Sequence, residues 1–326
     1  MEPSLEFEVL RWPLPPSDQG YGSRMVRLPG TATVLSTSPN GKLYTCDAFT
    51  GRLRTGKRVA GELRSVVFDD EVGGADGAWA LATFGLCRIS LNSLARTGDN
   101  VRKGIGKYQG RMVALSEDML AVSAFYGRSM TLISRLDATV VKRLRMGAPE
   151  VVYTLPDGLH RCWSAHHAVA TDIDLRTARC VARHRLPYGK GPAVLGDQVV
   201  VLLGEREDDA HAPDVWDIRP THLVAYDRYT LTELWRTTAP GHGIEVLGQD
   251  RDGRITVACH STVTVVNPST GGVDGVYRHP GGIGGALLMP EHNTVLLKNR
   301  AADPQALTVL RWRPDPRVAT VTDTGG

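Results

Sequence analysis

Apolar and polar positions alternate in short bursts along this chain, and no stretch holds a helical period. Val199 to Leu203, Ile255 to Ala258 and Thr294 to Leu297 are apolar runs of strand length, each bounded by polar turn residues. The pattern predicts an all-β protein. It also recurs. The segment NGKLYTCDAFTGRL, Asn40 to Leu53, reads as a strand, a polar turn and the start of another strand. Related copies centre near Leu43, Arg88, Ile133, Ile173, Val224, Val265 and Val309. Their mean step of about 44 residues is that of a four-stranded propeller blade.

The turns agree from copy to copy. Asp47, Thr50 and Gly51 set the pattern; Asp174 with Thr177, Asp227 with Thr230, and Asn267 with Thr270 and Gly271 repeat it. Asp and Asn hydrogen-bond their own backbone in such turns, and Gly supplies positive φ. The expectation is one domain over residues 1–326, a seven-bladed β-propeller with four antiparallel strands per blade. Leu5 to Trp12 (5–12) is a strand that closes the last blade, 13–22 a linker, 23–316 the seven blades, and 317–326 a further outer strand or a tail. Closure matters because an open ring leaves two sheet edges unpaired.

On these repeats the chain resembles the quinoprotein-like and YVTN-type β-propellers. The quinone-binding members carry a Trp after the turn. Leu53 stands near that place here, so the resemblance does not imply bound quinone. The only Trp-Asp pair, Trp216 and Asp217, falls in a predicted loop, which makes a WD40 reading weaker.

Composition narrows the classes. The formal charge of +3 over 326 residues is too small to argue for nucleic acid. Lys142, Arg143 and Arg145 are read as a solvated outer face. Met1 to Leu10 is acidic and lacks the apolar core of a signal peptide, and no apolar run is long enough to span a membrane. Cys46, Cys87, Cys162, Cys180 and Cys259 are scattered and odd in number, which fits reduced thiols in a cytoplasm. The Ala, Gly, Arg and Val bias fits a high-GC bacterial source. The expected state is a monomer or weak homo-oligomer.

Candidate chemistry comes from sorting polar residues by loop. In a propeller the loops between the second and third strands, and those leading into the next blade, share one face. Seven of the ten histidines fall there: His166, His167, His211, His222, His242, His260 and His279. Histidine titrates near neutrality. A second column lies at the start of the innermost strands: Arg24, Glu62, Arg111, Glu150, Pro192, Glu245 and Gly285. It reads either as a ring of ion pairs or as a carboxylate supply beside the histidines.

The functional expectation is an enzyme acting on a small organic molecule by acid–base chemistry: a lyase, cyclase or isomerase of bacterial specialised metabolism. His260 or His242 would be the base and Glu245 its orienting carboxylate. Arg111 would hold an anionic group, with Glu150, His166, His279, Tyr126 and Trp216 lining the site. Trp216 would act from a lid, the long loop Gly204 to Thr221. No metal-ligand spacing, phosphate loop or nucleophile motif is present, so neither cofactor nor metal is expected. Streptogramin lyase, a propeller that opens an antibiotic ring by elimination, is similar in size and architecture only, and no catalytic residue carries over from it. The alternatives are a protein-interaction scaffold and, third, a metal-dependent oxygenase.

Overall fold

The structure is a computed structural model that describes residues 5–13, 24–38, 40–59, 61–69, 76–98, 109–124, 129–209, 212–299 and 306–314. The linker from 14 onward, the tail beyond 314, Tyr108, Tyr126 and His211 lie outside them.

The chain is a seven-bladed β-propeller of four-stranded antiparallel sheets. Strand β1 (Leu5–Pro13) is set aside for the end of the ring. Blade 1 is β2 (Val26–Arg27), β3 (Thr33–Thr37), β4 (Lys42–Asp47) and β5 (Leu53–Arg58). Blade 2 is β6 (Leu63–Phe68), β7 (Gly77–Ala82), β8 (Gly85–Ser90) and β9 (Ala95–Arg96). Blade 3 is β10 (Gln109–Ser116), β11 (Met119–Ala124), β12 (Met130–Ser134) and β13 (Val140–Leu144). Blade 4 is β14 (Val151–Thr154), β15 (His160–Ser164), β16 (Val169–Asp174) and β17 (Arg179–Arg185). Blade 5 is β18 (Gly189–Leu195), β19 (Gln198–Asp209), β20 (Ala212–Asp227) and β21 (Glu233–Thr238). Blade 6 is β22 (Gly243–Gln249), β23 (Ile255–Cys259), β24 (Thr262–Val266) and β25 (Val273–Arg278). Blade 7 is β26 (Ile283–Met289), β27 (Thr294–Asn299), β28 (Ala306–Pro314) and, outermost, β1. Every repeat centre read from the sequence falls on the third strand of its blade.

The apolar runs are continuous because each blade is covered on both faces. In β19, Val199 and Val201 pack into the cluster shared with blade 4, and Val200 and Leu202 into the cluster shared with blade 6. A period of two therefore feeds two cores from one strand. Seven such clusters join the seven blades, and Val34, Tyr44 and Cys46 of blade 1 meet Leu296 and Val309 of blade 7 to complete the ring.

The turns form as their chemistry requires. Asp47 Oδ1 accepts from the backbone N–H groups of Phe49 and Thr50 and from the Thr50 hydroxyl, at 3.1, 2.8 and 2.8 Å. Asp227 repeats the set with Tyr229 and Thr230 at 3.0, 2.7 and 2.9 Å. Four residues after the turn's first residue the backbone is left-handed in blade after blade: Gly51, Leu94, Ala138, Ala178, Leu231 and Gly271 all have positive φ.

Ring closure uses more than strand pairing. β1 pairs with β28 from Leu5↔Pro314 to Pro13↔Ala306. At its end the Trp12 indole N–H donates to the Ala48 carbonyl of blade 1 at 2.8 Å, and the ring covers Gly51. Blade 5 repeats the device on blade 6: Trp235 donates to the Pro268 carbonyl at 2.8 Å and covers Gly271. A Trp after the turn, absent near Leu53 in blade 1, is present in blade 5 as Trp235; Trp12 makes the same contact from the closing strand β1.

The segment Gly204 to Thr221 departs from expectation. It is a ribbon, not a loop. β19 and β20 continue past the blade, pairing Glu205↔Arg219, Arg206↔Ile218, Glu207↔Asp217 and Asp208↔Trp216. A register shift at Leu203/Gly204 marks where the ribbon leaves the sheet, and Pro220, which lacks an N–H, sits there opposite Gly204. The Trp-Asp pair lies in β20.

The five cysteines are free thiols. Burial, and secondarily Asp47, pushes Cys46 up to about 11. Among the described residues no helix is long and apolar enough to cross a membrane.

Candidate binding site at the channel mouth

The first residues of the innermost strands and the connections between second and third strands share one end of the ring. Glu150 stands just before β14 and is buried. It is the centre of the described network. Arg111, from β10 of blade 3, brings Nη2 to 3.4 Å from its Oε2. His166 lies in a short 3-10 turn, Ala165–His167, between β15 and β16. Its backbone N–H donates to Glu150 Oε1 at 3.0 Å, and its ring Nδ1 lies 3.3 Å from the same oxygen. Gly191, in β18 of blade 5, donates its N–H to Oε2 at 3.2 Å. One carboxylate thus joins three blades.

Gly191 is required there. Its φ is +57°, and a Cβ would sit 2.5 Å from the Glu245 Cα. Glu245 of blade 6 is thereby set directly beside the network, and its charge acts on Arg111.

The ribbon supplies the outer layer. Asp217 on β20 places Oδ1 at 3.8 Å from His166 Nε2, an ion-pair distance. Lys190 of β18 reaches the same carboxylate, with Nζ 3.4 Å from Oδ2. The order across the mouth is Arg111, Glu150, His166, Asp217, Lys190, alternating in sign.

The electrostatics follow from that order. Burial pushes Glu150 up, but the Arg111 guanidinium and the ring and N–H of His166 outweigh it and hold the carboxyl at about 2. Burial pulls His166 down, yet Asp217 and Glu150 on its two sides raise it above the ordinary histidine value. Burial likewise raises Asp217, while His166, Lys190 and the Ile218 N–H bring it well below the carboxylate range.

The remaining histidines separate. His242 and His260 form a second group, their rings edge to face with centroids 6.3 Å apart. The His260 N–H donates to the His242 carbonyl at 2.9 Å. His279 is buried in the turn into blade 7, with Nε2 at 2.5 Å from Asn299 Oδ1. His222 lies on β20, its Nδ1 2.8 Å from the Thr221 hydroxyl. The Trp216 backbone lies on β20 opposite Asp208; its side chain, like all of Tyr126, is outside the described atoms. The ion-pair ring holds in part. Arg111 and Glu150 pair, whereas Glu62 pairs with Arg64 at 3.1 Å.

The sequence pattern does not single out Lys190, which lies between Gly189 and Gly191, or Asp217, which falls in the segment Gly204 to Thr221 that reads as a loop. Arg161, Asp172 and His184 form a separate cluster in blade 4. Arg161 grips Asp172 at 2.7 and 2.9 Å and donates to the Tyr229 carbonyl of blade 5 at 2.6 Å. Among the described residues no group of three or more His, Cys, Asp or Glu is arranged to hold a metal ion.

No family model matches the sequence, and no curated protein does. Solved structures do match. The chain is similar to the WD40 domain of Neurospora crassa Pan2 at 12% identity and TM-score 0.69, over 95% of this chain and 96% of that one. It is similar to the β-propeller domain of Myceliophteria thermophila Cps50 (Swd1) at 10% identity and TM-score 0.66, over 89% and 96%. BamB from Moraxella catarrhalis matches at 15% identity and TM-score 0.52, over 87% and 83%. These likenesses show the fold.

Proposed function

We propose that this protein is an interaction scaffold, a rigid ring that presents its mouth and ribbon to other proteins. The observation that carries the reading is the commitment of Glu150. Three donors and a guanidinium occupy its two oxygens, and a carboxyl held at about 2 is far from the poise a general base needs at neutral pH. The mouth charges therefore join blades rather than wait for a substrate. The similar structures support the reading. They include a WD40 domain, the Cps50 (Swd1) β-propeller domain and a chain of the Mitotic Checkpoint Complex, the last at 12% identity and TM-score 0.64 over 94% of this chain and 91% of that one. Fold alone does not fix function; the bonding of Glu150 carries the reading.

A second reading keeps one observation in its favour. His242 and His260 lie outside the Glu150 network, His242 is exposed, and Glu245 lies on the same blade. An acid–base enzyme would use them as base and orienting carboxylate.

The test is native-source purification at low salt followed by sizing and mass spectrometry. A scaffold elutes well above the 35.4 kDa of the chain, with the same partner in fixed ratio on repetition. A lone chain that turns over a metabolite, with turnover lost in His260→Ala and Glu245→Gln, would replace this reading by the second.

A further inference from the structure

Blade 7 shows how this fold accepts a strand distant in sequence. β28 presents Arg311 and Arg313 two residues apart. β1 sets Glu8 and Glu6 opposite them in register. Glu6 meets Arg313 Nε at 3.0 Å, and Glu8 meets Arg311 Nη1 at 3.9 Å. The alternate residues turn the other way. Leu5 is buried, and Phe7 packs against Tyr277 and Trp312 with centroids at 6.0 and 6.4 Å. An arginine-bearing strand is thus completed by one that alternates acid and apolar residues.

β17 repeats the receiving half of this arrangement. Arg183 and Arg185 stand two residues apart and are exposed. Among the described residues the sheet of blade 4 ends at β17. The Arg183 guanidinium donates to the Arg145 carbonyl at 2.7 Å, which sets the end of β13 beside β17. Neither strand contains an acidic residue, and Lys142, Arg143, Arg145 and Arg179 add to the positive charge. Val181, 58% exposed, shares the arginine face, while the alternate residues Cys180, Ala182 and His184 are half-buried on the other face; Val141 on β13 is 50% exposed.

We propose that the outer edge of β17 docks an extended acidic segment of a partner protein, one that alternates Glu or Asp with apolar residues and adds a fifth strand to blade 4. The inference rests on the scaffold reading and names the partner's chemistry. Strand addition draws affinity from backbone hydrogen bonds and specificity from alternate side chains; β17 offers an outer edge that pairs with no further described strand and two exposed arginines, of which Arg183 also holds the Arg145 carbonyl. Edge charge also serves to block aggregation, but that duty does not require one sign. The outer strand of blade 5 carries a balanced pair, Glu233 and Arg236 at 2.7 Å. A single-stranded nucleic acid would want aromatic platforms, and β13 and β17 contain no Phe, Tyr or Trp.

The test uses the full chain and a fluorescein-labelled decapeptide of Glu alternating with Val and Phe, followed by anisotropy at low salt. The wild type and the control Arg278→Glu on β25 should bind it alike. Arg183→Glu with Arg185→Glu should bind about tenfold more weakly, as should wild type with the same peptide N-methylated at alternate amides. Hydrogen exchange should slow in β17 when the plain peptide is present. If the double reversal does not fold, Arg183→Gln with Arg185→Gln takes its place with the same expectation in direction. Equal binding by the double variant, equal binding of the N-methylated peptide, or displacement of the peptide by an equal concentration of a twenty-residue oligo-dT each overturns the proposal. Failure here alongside a fixed-ratio partner in the sizing experiment removes this surface and leaves the scaffold reading standing.

Discussion

Trp12 ties the first strand of the chain to the first blade: its indole N–H reaches the Ala48 carbonyl at 2.8 Å, and its ring lies on Gly51, where a Cβ would come within 2.6 Å. Strand pairing of β1 with β28 closes blade 7 on itself; the tryptophan fastens blade 7 to blade 1. Trp12→Ala should therefore cost about 3 kcal/mol, the low end for losing a packed tryptophan, seen as a lower urea midpoint. Gly51→Ala should cost a similar amount, because the methyl meets the ring and the backbone is left-handed at φ +69°. Unchanged midpoints in both would show that the strand pairing alone holds the ring.

Glu150 gives the protein an acid limit. Its folded pKa, about 2, lies below the ordinary value of 4.5. A depressed carboxyl contributes stability that is present in full above the unfolded value and is lost as pH falls through that value toward the folded one. The window is thus pH 4.5 down to about 2, and the contribution is roughly 3 kcal/mol. Glu150→Gln keeps the shape, removes the charge and leaves Arg111 buried without its partner. It should destabilise the fold by several kcal/mol at pH 7, with a flatter stability profile between pH 5 and 3. A variant as stable as wild type at pH 7 would remove Glu150 as the joint of blades 3, 4 and 5.

His166 sets the opposite limit. Asp217 and Glu150 hold its folded pKa above the ordinary histidine value of 6.5, so its contribution is complete below the unfolded value and is lost as pH rises through the folded one. The groups facing it are Glu150, Asp217, Arg111 and, through Asp217, Lys190. His166→Ala should erase the fall in thermal stability that wild type shows on going from pH 6 to pH 9. Asp217→Asn should shrink it. An NMR titration placing the His166 ring below its ordinary value would reverse the sign of this prediction.

The left-handed position after each turn offers a gain. Ala138 holds φ +58° there, where Gly51 and Gly271 stand in blades 1 and 6. A non-Gly residue in that conformation costs about 1 kcal/mol, and Gly adds up to roughly 1 kcal/mol of unfolded-chain entropy in return. Ala138→Gly should therefore be neutral or raise the melting temperature by a few degrees, whereas Ala121→Gly in the middle of β11 should lower it. A clear loss in Ala138→Gly would show that the methyl's contact with the blade 2–3 core outweighs the backbone strain.

The number of blades, the strand order within them, the turns and the closing role of Leu5 to Trp12 are legible in the chain alone. These rest on local physics. A period-two apolar run feeds the cores on both sides of its strand, and an Asp or Asn with a left-handed residue four places later closes a turn whatever surrounds it. The same logic placed His166, His242, His260 and His279 in the right connections. Which side chains meet depends on how the blades close around the axis. Glu150 reads as one more member of a charged column until Arg111 from blade 3, a 3-10 turn of its own blade and the Gly191 N–H of blade 5, 41 residues away, converge on it. Asp217 reads as part of a polar loop because its ribbon satisfies its backbone by cross-strand pairing of charged residues, not by an apolar face that a pattern could reveal. Only the ring geometry, which brings successive strand starts around one channel, turns those distant residues into one network.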